Sequence, residues 1–389
     1  MATRSLRIAW LGPAPGEDGG AAGVGTDLLH GLAGRGHRID CFFPSAGQPI
    51  PDRLAGNDNI TFNWGTSQWS WNRWYSRTRV GAFAGGMFAR AVASVRLRRQ
   101  IVERHRAEPY DLLYQFSSIE SPAVPPSLAR TVPLVSHPET HSAGELRRLI
   151  AERRLALRCP PLYRYAAVLA IMSVRSVVQR AQIRRANLLI CISSVFRDHI
   201  VHDYGFPLGR TVVVPNPVRL ARFASIDRDP SEPPTVLVVG RIAVRKGVEV
   251  VVAVARELLR RDVNVRIRIV GGPSLWSDYM KLLEDLPPEN SEYVGSIASG
   301  EIPGELAASA VLLQASWYEP FGLTIAEALA AGVPVIGTSE VGAIEGVDRS
   351  VAAEVPPGDV GATATAIVEM LERVRTDPEG LATRARAEA

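Results

Sequence analysis

Ser316-Trp-Tyr-Glu-Pro-Phe-Gly-Leu-Thr-Ile-Ala-Glu-Ala-Leu-Ala-Ala-Gly-Val-Pro-Val-Ile336 decides the fold of this chain. The residues before it, Ala310-Val-Leu-Leu-Gln-Ala315, are short, apolar and β-capable, the pattern of a parallel strand buried on both faces. Glu319-Pro320-Phe321-Gly322 is a tight turn punctuated by Pro and Gly. From Leu323 the period becomes helical, with Leu323, Ala326, Leu329 and Ala330 on one face. Gly332 stops the helix, and Pro334-Val-Ile336 opens the next strand. The loop of this strand–loop–helix–strand unit falls at the carboxyl end of a strand, where open α/β sheets take their ligands. The backbone amides of Phe321, Gly322, Leu323 and Thr324 crown the helix N-terminus, a natural anion site. Two carboxylates frame it, Glu319 in the loop and Glu327 about one turn into the helix. A carboxylate beside an anion is sensible if its task is to accept hydrogen bonds from sugar hydroxyls. The plainer reading of Glu327 is a helix-start acid that favours the dipole.

The chain has 389 residues, enough for two domains with a core each. It is 46% hydrophobic and 22% charged, as a globular protein is. Cys41, Cys159 and Cys191 are too few and too far apart for a disulfide framework or a zinc site, and Cys41 and Cys191 read as small core residues. The N-terminus lacks the apolar stretch of a signal peptide, and no apolar run reaches membrane-spanning length, so a cytoplasmic protein is expected. The net charge of +4 hides an asymmetry. Residues 1–215 hold 27 Arg and no Lys against 15 acids, while residues 216–389 are net acidic and carry both lysines, Lys246 and Lys281. This shift places a domain boundary near 215, giving domains 1–215 and 216–389. Nucleic acid is not an expected partner, because the total charge is small and no binding motif appears.

Leu6–Leu11 reads as the first strand, followed by a Gly-rich loop, a helix from about Val24 to Gly34 and a strand at Ile39–Phe43. Asp40 stands where the ribose-binding acid of a dinucleotide fold would be. However, Gly20-Ala-Ala-Gly23-Val-Gly25 is G-x-x-G-x-G rather than G-x-G-x-x-G, and the loop is too long, so NAD is disfavoured. Phe62, Trp64, Trp69, Trp71, Trp74 and Tyr75 form an aromatic cluster. It reads as a satellite core, as a stacking surface for an acceptor, or as a bilayer contact. Strands at Asp111–Gln115 and Val132–Ser136 follow, the second ending in His137-Pro-Glu-Thr-His141. Glu145 to Asn187 carries many arginines among Leu, Ala, Val and Tyr, divided by Pro160-Pro161 into two helices. Such helices can lie on anionic membrane, line a site for a phosphorylated acceptor, or simply be solvated. Leu188–Ser194 is a strand ending in a helix cap. After a proline-rich linker at Pro230–Pro234, Thr235–Gly240 opens the second domain and leads into Arg241-Ile-Ala-Val-Arg-Lys246-Gly247.

Glu319-Pro-Phe-Gly-Leu-Thr-Ile-Ala-Glu327 resembles the E-x7-E signature of the retaining GT-B glycosyltransferases, family 4, and Gly240-Arg-x4-Lys-Gly247 resembles the phosphate-binding segment of the same family. The resemblance is strong over 235–350 and rests on fold pattern alone over 45–190. It implies an α/β protein with the GT-B fold, two Rossmann-like domains facing across a cleft, the second binding a nucleotide sugar and the first supplying most of the acceptor site. The implied reaction moves a hexose from a UDP-sugar or a GDP-sugar to an acceptor hydroxyl, by front-face attack and without a covalent enzyme nucleophile. It further implies that Arg241 and Lys246 neutralise the departing phosphate, that Glu319 holds the sugar hydroxyls, and that Glu327 holds the ribose. The loop at Gly295, Ser296 and Ile297 would hold the base, and the Gly19-Gly20 pair would let backbone approach the substrates. His137, or else His141, would stand near the transferred sugar. With no Asp-x-Asp motif near a strand end, neither a metal nor a cofactor is expected. The acceptor stays open among lipid-linked, natural-product and glycan hydroxyls, with peripheral contact at the inner face of the membrane as a further candidate. The alternatives are a GT-B epimerase or hydrolase and a binding protein that has lost turnover. The sequence ends at Ala389 without the aromatic-containing segment and crossing helix that the resemblance implies, which leaves the closure of the domains open.

Overall fold

The computed structural model describes residues 4–17, 20–44, 49–65, 79–117, 124–159, 162–223, 226–228, 232–273 and 279–389. Gly19, Trp69, Trp71, Trp74 and Tyr75 lie outside the described residues. The first half of the chain runs β1 (Arg7–Leu11), α1 (Gly20–Gly34), β2 (Arg38–Phe43), β3 (Ile60–Trp64), α2 (Arg79–Ala107), β4 (Leu112–Phe116), β5 (Leu134–His137), α3 (Ser142–Ala151), α4 (Arg153–Arg158), α5 (Leu162–Ile183), β6 (Leu188–Cys191), α6 (Ser194–Tyr204) and β7 (Thr211–Val213). The second runs β8 (Thr235–Val239), α7 (Val248–Arg260), β9 (Arg266–Val270), β10 (Ser291–Gly295), α8 (Ile302–Ala307), β11 (Val311–Gln314), α9 (Leu323–Ala330), β12 (Val335–Thr338), β13 (Ala352–Val355), α10 (Val360–Thr376) and α11 (Pro378–Ala387).

Two parallel sheets result, ordered β3-β2-β1-β4-β5-β6-β7 and β10-β9-β8-β11-β12-β13. Each starts in its middle, winds outward to one edge, and returns to wind outward to the other. That is the doubly wound order, and it puts a topological switch point between β1 and β4 and another between β8 and β11. By packing, the chain divides into a unit of residues 1–140, 177–191 and 204–217 and a unit of residues 141–176, 192–203 and 218–389.

In the first unit Trp10 of β1 is fully buried, stacked on Tyr114 at 4.7 Å and tilted against Phe116 at 5.1 Å. Asp40 accepts from Arg7 at 2.8 Å and from the Tyr110 hydroxyl at 2.7 Å. These bonds make it a structural anchor of β1 and β2 and leave no reason to assign it a ribose. Phe62 and Trp64 pack on Phe43, the satellite-core reading of that part of the aromatic cluster.

In the second unit the central strands β11 and β12 are buried on both faces, and β8 beside them is buried over Thr235, Val236 and Leu237, as their apolar runs require. Helix α7 turns Val248, Val251, Ala255 and Leu258 inward at helical spacing and leaves Arg256 and Arg260 outside. Cys41 and Cys191 are buried free thiols. The stretch 145–187 forms three helices rather than two. Besides the break before α5, the chain leaves helical geometry at Glu152 (φ −98°, ψ 22°), whose N–H closes α3 and whose carbonyl opens α4.

Gly247 holds the first turn of α7 against the end of β11. Its φ is +67°, and a Cβ there would stand 1.9 Å from the Ala315 carbonyl oxygen. Gly247→Ala therefore loses about 3 kcal/mol of stability from left-handed strain and overpacking. Gly34→Ala, at the end of α1 with open space around it, changes stability by less than about 1 kcal/mol and in the favourable direction. Urea unfolding of the two variants measures both, and equal losses would contradict this packing.

Candidate functional site

The loops that leave β8 and β11, the strands flanking the second switch point, meet each other. The Trp317 N–H donates to the Arg245 carbonyl at 2.9 Å and fastens one loop to the other. Across that junction the Lys246 ammonium donates to Glu319 Oε2, and Arg245 Nη1 donates to the same oxygen at 2.9 Å. The Glu145 carboxylate is 3.8 Å from Arg245 Nε. Arg241 is exposed, and it lines a pocket with Gly240, Lys246, Gln314, Ala315 and Ser316. Three cations face two carboxylates here, so one positive charge is left over for an anion.

Burial alone would raise the Glu319 carboxyl, but Lys246 and Arg245 outweigh it and hold it at about 2. Burial pulls Lys246 below its usual range against the opposing pull of Glu319. Arg245 is raised, because Glu319 and Glu145 overcome its burial. Glu319 and Arg245 are therefore charged at neutral pH, and the hydrogen bond to the Glu319 carboxylate opposes the loss of the Lys246 proton that burial favours.

The Glu319 backbone is fixed as firmly as its side chain. Its N–H donates to the Glu340 carbonyl at 2.9 Å and its carbonyl accepts from the Gly342 N–H at 3.1 Å. Gly322 then takes φ +99° as the residue capping α9, where a side chain would strike Val341 and Gln314. Phe321 is buried, Leu323 and Thr324 begin the helix, and Glu327 is half-buried in its second turn. Gln314, the last residue of β11, accepts from the Thr324 hydroxyl at 2.9 Å, while its buried Nε2 has no partner among the described residues. Gly295, Ser296 and Ile297 lie on the same carboxyl edge, at the end of β10. The Gly271 N–H donates to the Gly295 carbonyl at 2.8 Å, and Ser296 Oγ would lie 2.2 Å from a Cβ on Gly272. The loops after β9 and β10 are thus in contact.

Behind Glu319, Tyr318 sits in a cluster of histidines. Its hydroxyl is hydrogen-bonded to His141 Nδ1 at 3.0 Å, and its ring meets that of His199 at 5.0 Å. His141 Nε2 is 3.1 Å from Asp203, and His199 Nε2 is 2.8 Å from Glu340. Ser193, the expected cap of α6, accepts from the Phe196 N–H at 3.0 Å and donates to the Pro320 carbonyl at 2.7 Å. His141 therefore braces the loop that carries Glu319.

His137 and Gly20 belong to the other packed unit. His137 ends β5, is 2% exposed, and hydrogen-bonds the Tyr114 hydroxyl at 2.7 Å, with the Phe116 ring edge-on at 5.4 Å. Its Nε2 is 3.4 Å from Glu139. Burial pushes His137 down to about 3, so the ring is neutral, and raises Glu139 to about 7 against a hydrogen bond from Asn216. Gly20 opens α1 at φ +49° with open space around it.

The structure thus brings Arg241, Lys246, Glu319 and the start of α9 to one switch point, with Gly295–Ile297 on the same edge of the sheet. Sequence reasoning missed Arg245, Gln314 and the braces on Tyr318. Arg245 could have been read from its adjacency to Lys246, and Gln314 from a polar residue closing an otherwise apolar strand.

The family model described as Glycosyltransferase Family 4 matches residues 18–222, and the one described as Glycosyl transferases group 1 matches residues 233–373. The glycogen synthase of Mycobacterium tuberculosis is 29% identical over 210 residues, a match covering 53% of this chain and 49% of that protein. The chain spans about half the length of the first curated relatives it matches. Sucrose-phosphate synthase from Thermosynechococcus elongatus superposes with a TM-score of 0.67 at 20% identity, covering 98% of this chain and 94% of that one. The Anabaena protein HepE, solved with UDP and glucose, superposes with a TM-score of 0.62 at 20% identity and the same coverage. The fold is GT-B, and the chain belongs to glycosyltransferase family 4.

Proposed function

We propose that this chain is a retaining glycosyltransferase that moves a hexose from a nucleotide diphosphate sugar, a UDP-sugar in preference to a GDP-sugar, to an acceptor hydroxyl. The observation that carries the reading is the convergence of Lys246 and Arg245 on Glu319 at the switch point between β8 and β11. A diphosphate leaving group accumulates negative charge as its bond to the sugar breaks, and fixed cations aimed at that charge lower the barrier. An incoming diphosphate competes with Glu319 for Lys246. The carboxylate it displaces is then free to accept from the sugar hydroxyls.

The other residues take roles along the same edge. Arg241 and the amides of Phe321, Gly322, Leu323 and Thr324 face the phosphates. Gln314 Nε2, a buried donor lining the pocket, supplies one more hydrogen bond to the ligand. Gly295, Ser296 and Ile297 hold the base through their backbone, and Glu327 accepts from the ribose. His137 and Gly20 serve the transferred sugar and the acceptor, with His137 acting as a neutral ring.

In the transfer, the acceptor oxygen forms its bond to the anomeric carbon on the face from which the diphosphate leaves. The bond between that carbon and the phosphate oxygen breaks, and the acceptor proton passes to the departing phosphate. Side-chain cations do the electrostatic work, so the reading is metal-independent. The UDP bound in the Anabaena structure supports uridine as the base.

Calorimetry of UDP and GDP against the wild type and Lys246→Ala tests the donor site. UDP binds more tightly than GDP, and the variant loses at least about tenfold in affinity. Undiminished binding by Lys246→Ala would overturn the assignment. A turnover assay followed by proton NMR, with a chelator present, tests the chemistry. The product carries the donor's anomeric configuration at an undiminished rate, and His137→Ala keeps UDP affinity while losing transfer. Inverted product, or loss of turnover on chelation, would contradict the mechanism.

A further inference from the structure

Helix α5 has a face that nothing in the donor chemistry uses. Tyr163, Ala167, Ala170, Val174, Val177 and Ala181 recur at alternating spacings of four and three, which places them in one stripe along the helix. All six are exposed, and Tyr163, Val174 and Val177 are 69%, 62% and 70% exposed. Single exposed apolar residues are ordinary. A stripe is not, and every other helix exposes at most one large apolar side chain among the described residues. The opposite face fixes α5 to the protein, with Tyr165, Val168 and Met172 buried and the Tyr165 hydroxyl donating to the Leu149 carbonyl at 2.8 Å.

The charges around the stripe say what covers it. From Arg153 to Arg197 the chain carries nine arginines and no acid. Arg164 and Arg180 flank the stripe, and Arg184 and Arg185 stand at the end of the helix, all four exposed. A second copy laid on this stripe would set arginine against arginine, in either direction, with no Asp or Glu in the helix to answer them. A nucleic acid would meet an apolar centre where it needs cations. An anionic bilayer satisfies both parts. The apolar stripe enters the acyl boundary, and the arginines reach up to the phosphates along their apolar stems. No helix among the described residues is long and apolar enough to cross a membrane, so the contact is one of lying on the surface.

We propose that α5 is an interfacial helix that seats this protein on an anionic bilayer through the stripe from Tyr163 to Ala181. The proposal goes beyond the donor chemistry and stands independently of it.

Flotation of the full chain with vesicles of phosphatidylglycerol and phosphatidylcholine, against vesicles of phosphatidylcholine alone, is the test. The wild type floats with the anionic vesicles and stays behind with the neutral ones. Val174→Glu combined with Val177→Glu weakens the binding at least about tenfold. Arg164→Gln combined with Arg180→Gln weakens it most at low salt, where the arginine contribution is least screened. Both variants change exposed positions, and unchanged circular dichroism and thermal unfolding confirm their fold. Absence of the wild type from the anionic vesicle fraction would overturn the proposal, as would equal flotation of the Val174→Glu, Val177→Glu variant. So would a dimer in vesicle-free buffer that this variant converts to monomer, because a second copy would then be the occupant.

Discussion

A carboxylate taken out of water has to be matched by charge, and Glu319 is matched by Lys246 and Arg245 on a single oxygen. Breaking a buried pair of this kind leaves an uncompensated charge, at a cost of about 3–5 kcal/mol. The two loops are therefore locked in register by electrostatics before any ligand arrives, and the backbone answers the same need. The Trp317 N–H reaches the Arg245 carbonyl, Glu340 and Gly342 bind both ends of the Glu319 peptide, and Gly247 permits the approach that a side chain would block. Because α7 and α9 both start at this junction, the elements on either side of the switch point are placed by it.

The lock has an outer layer. Tyr318 and Glu340, the neighbours of Glu319 along the chain and across the turn, are each engaged by a histidine, and Ser193 ties the Pro320 carbonyl to the cap of α6. Burial lowers His141 despite the nearby Asp203. Elements from early in the sequence, α3 and α6, thus belong by packing to the unit that holds Glu319. The leftover positive charge beside a buried carboxylate is what distinguishes this arrangement from an ordinary structural ion pair. It suits a ligand that brings phosphate oxygens and hydroxyls together.

Much of this was legible in the sequence because the signals were local. Gly322 and Gly332 bracket a change of hydrophobic period, and that alone gives β11, α9 and β12 within a residue or two. Gly240-Arg-x4-Lys-Gly247 identified the loop after β8. What escaped was either adjacent or distant. Arg245 was overshadowed by Lys246 beside it, and only the three-dimensional turn shows that both side chains reach Glu319. The contact between His141 and Tyr318 joins residues far apart in sequence, with no periodicity to announce it. The break at Glu152 carries no Pro or Gly, so nothing in the sequence marked it. The stripe on α5 is regular enough to read, but its exposure is a property of the packed structure.

The most direct measurement is calorimetric binding of UDP and of a UDP-sugar to Glu319→Gln. If Glu319 competes with the diphosphate for Lys246 and then holds the sugar, removing its charge separates the two ligands. UDP binds as tightly as to the wild type or more tightly, and the additional affinity contributed by the sugar falls by about tenfold or more. If UDP and the UDP-sugar weaken together, Glu319 serves only to hold the loops in place, and the account of its exchange of partners is wrong.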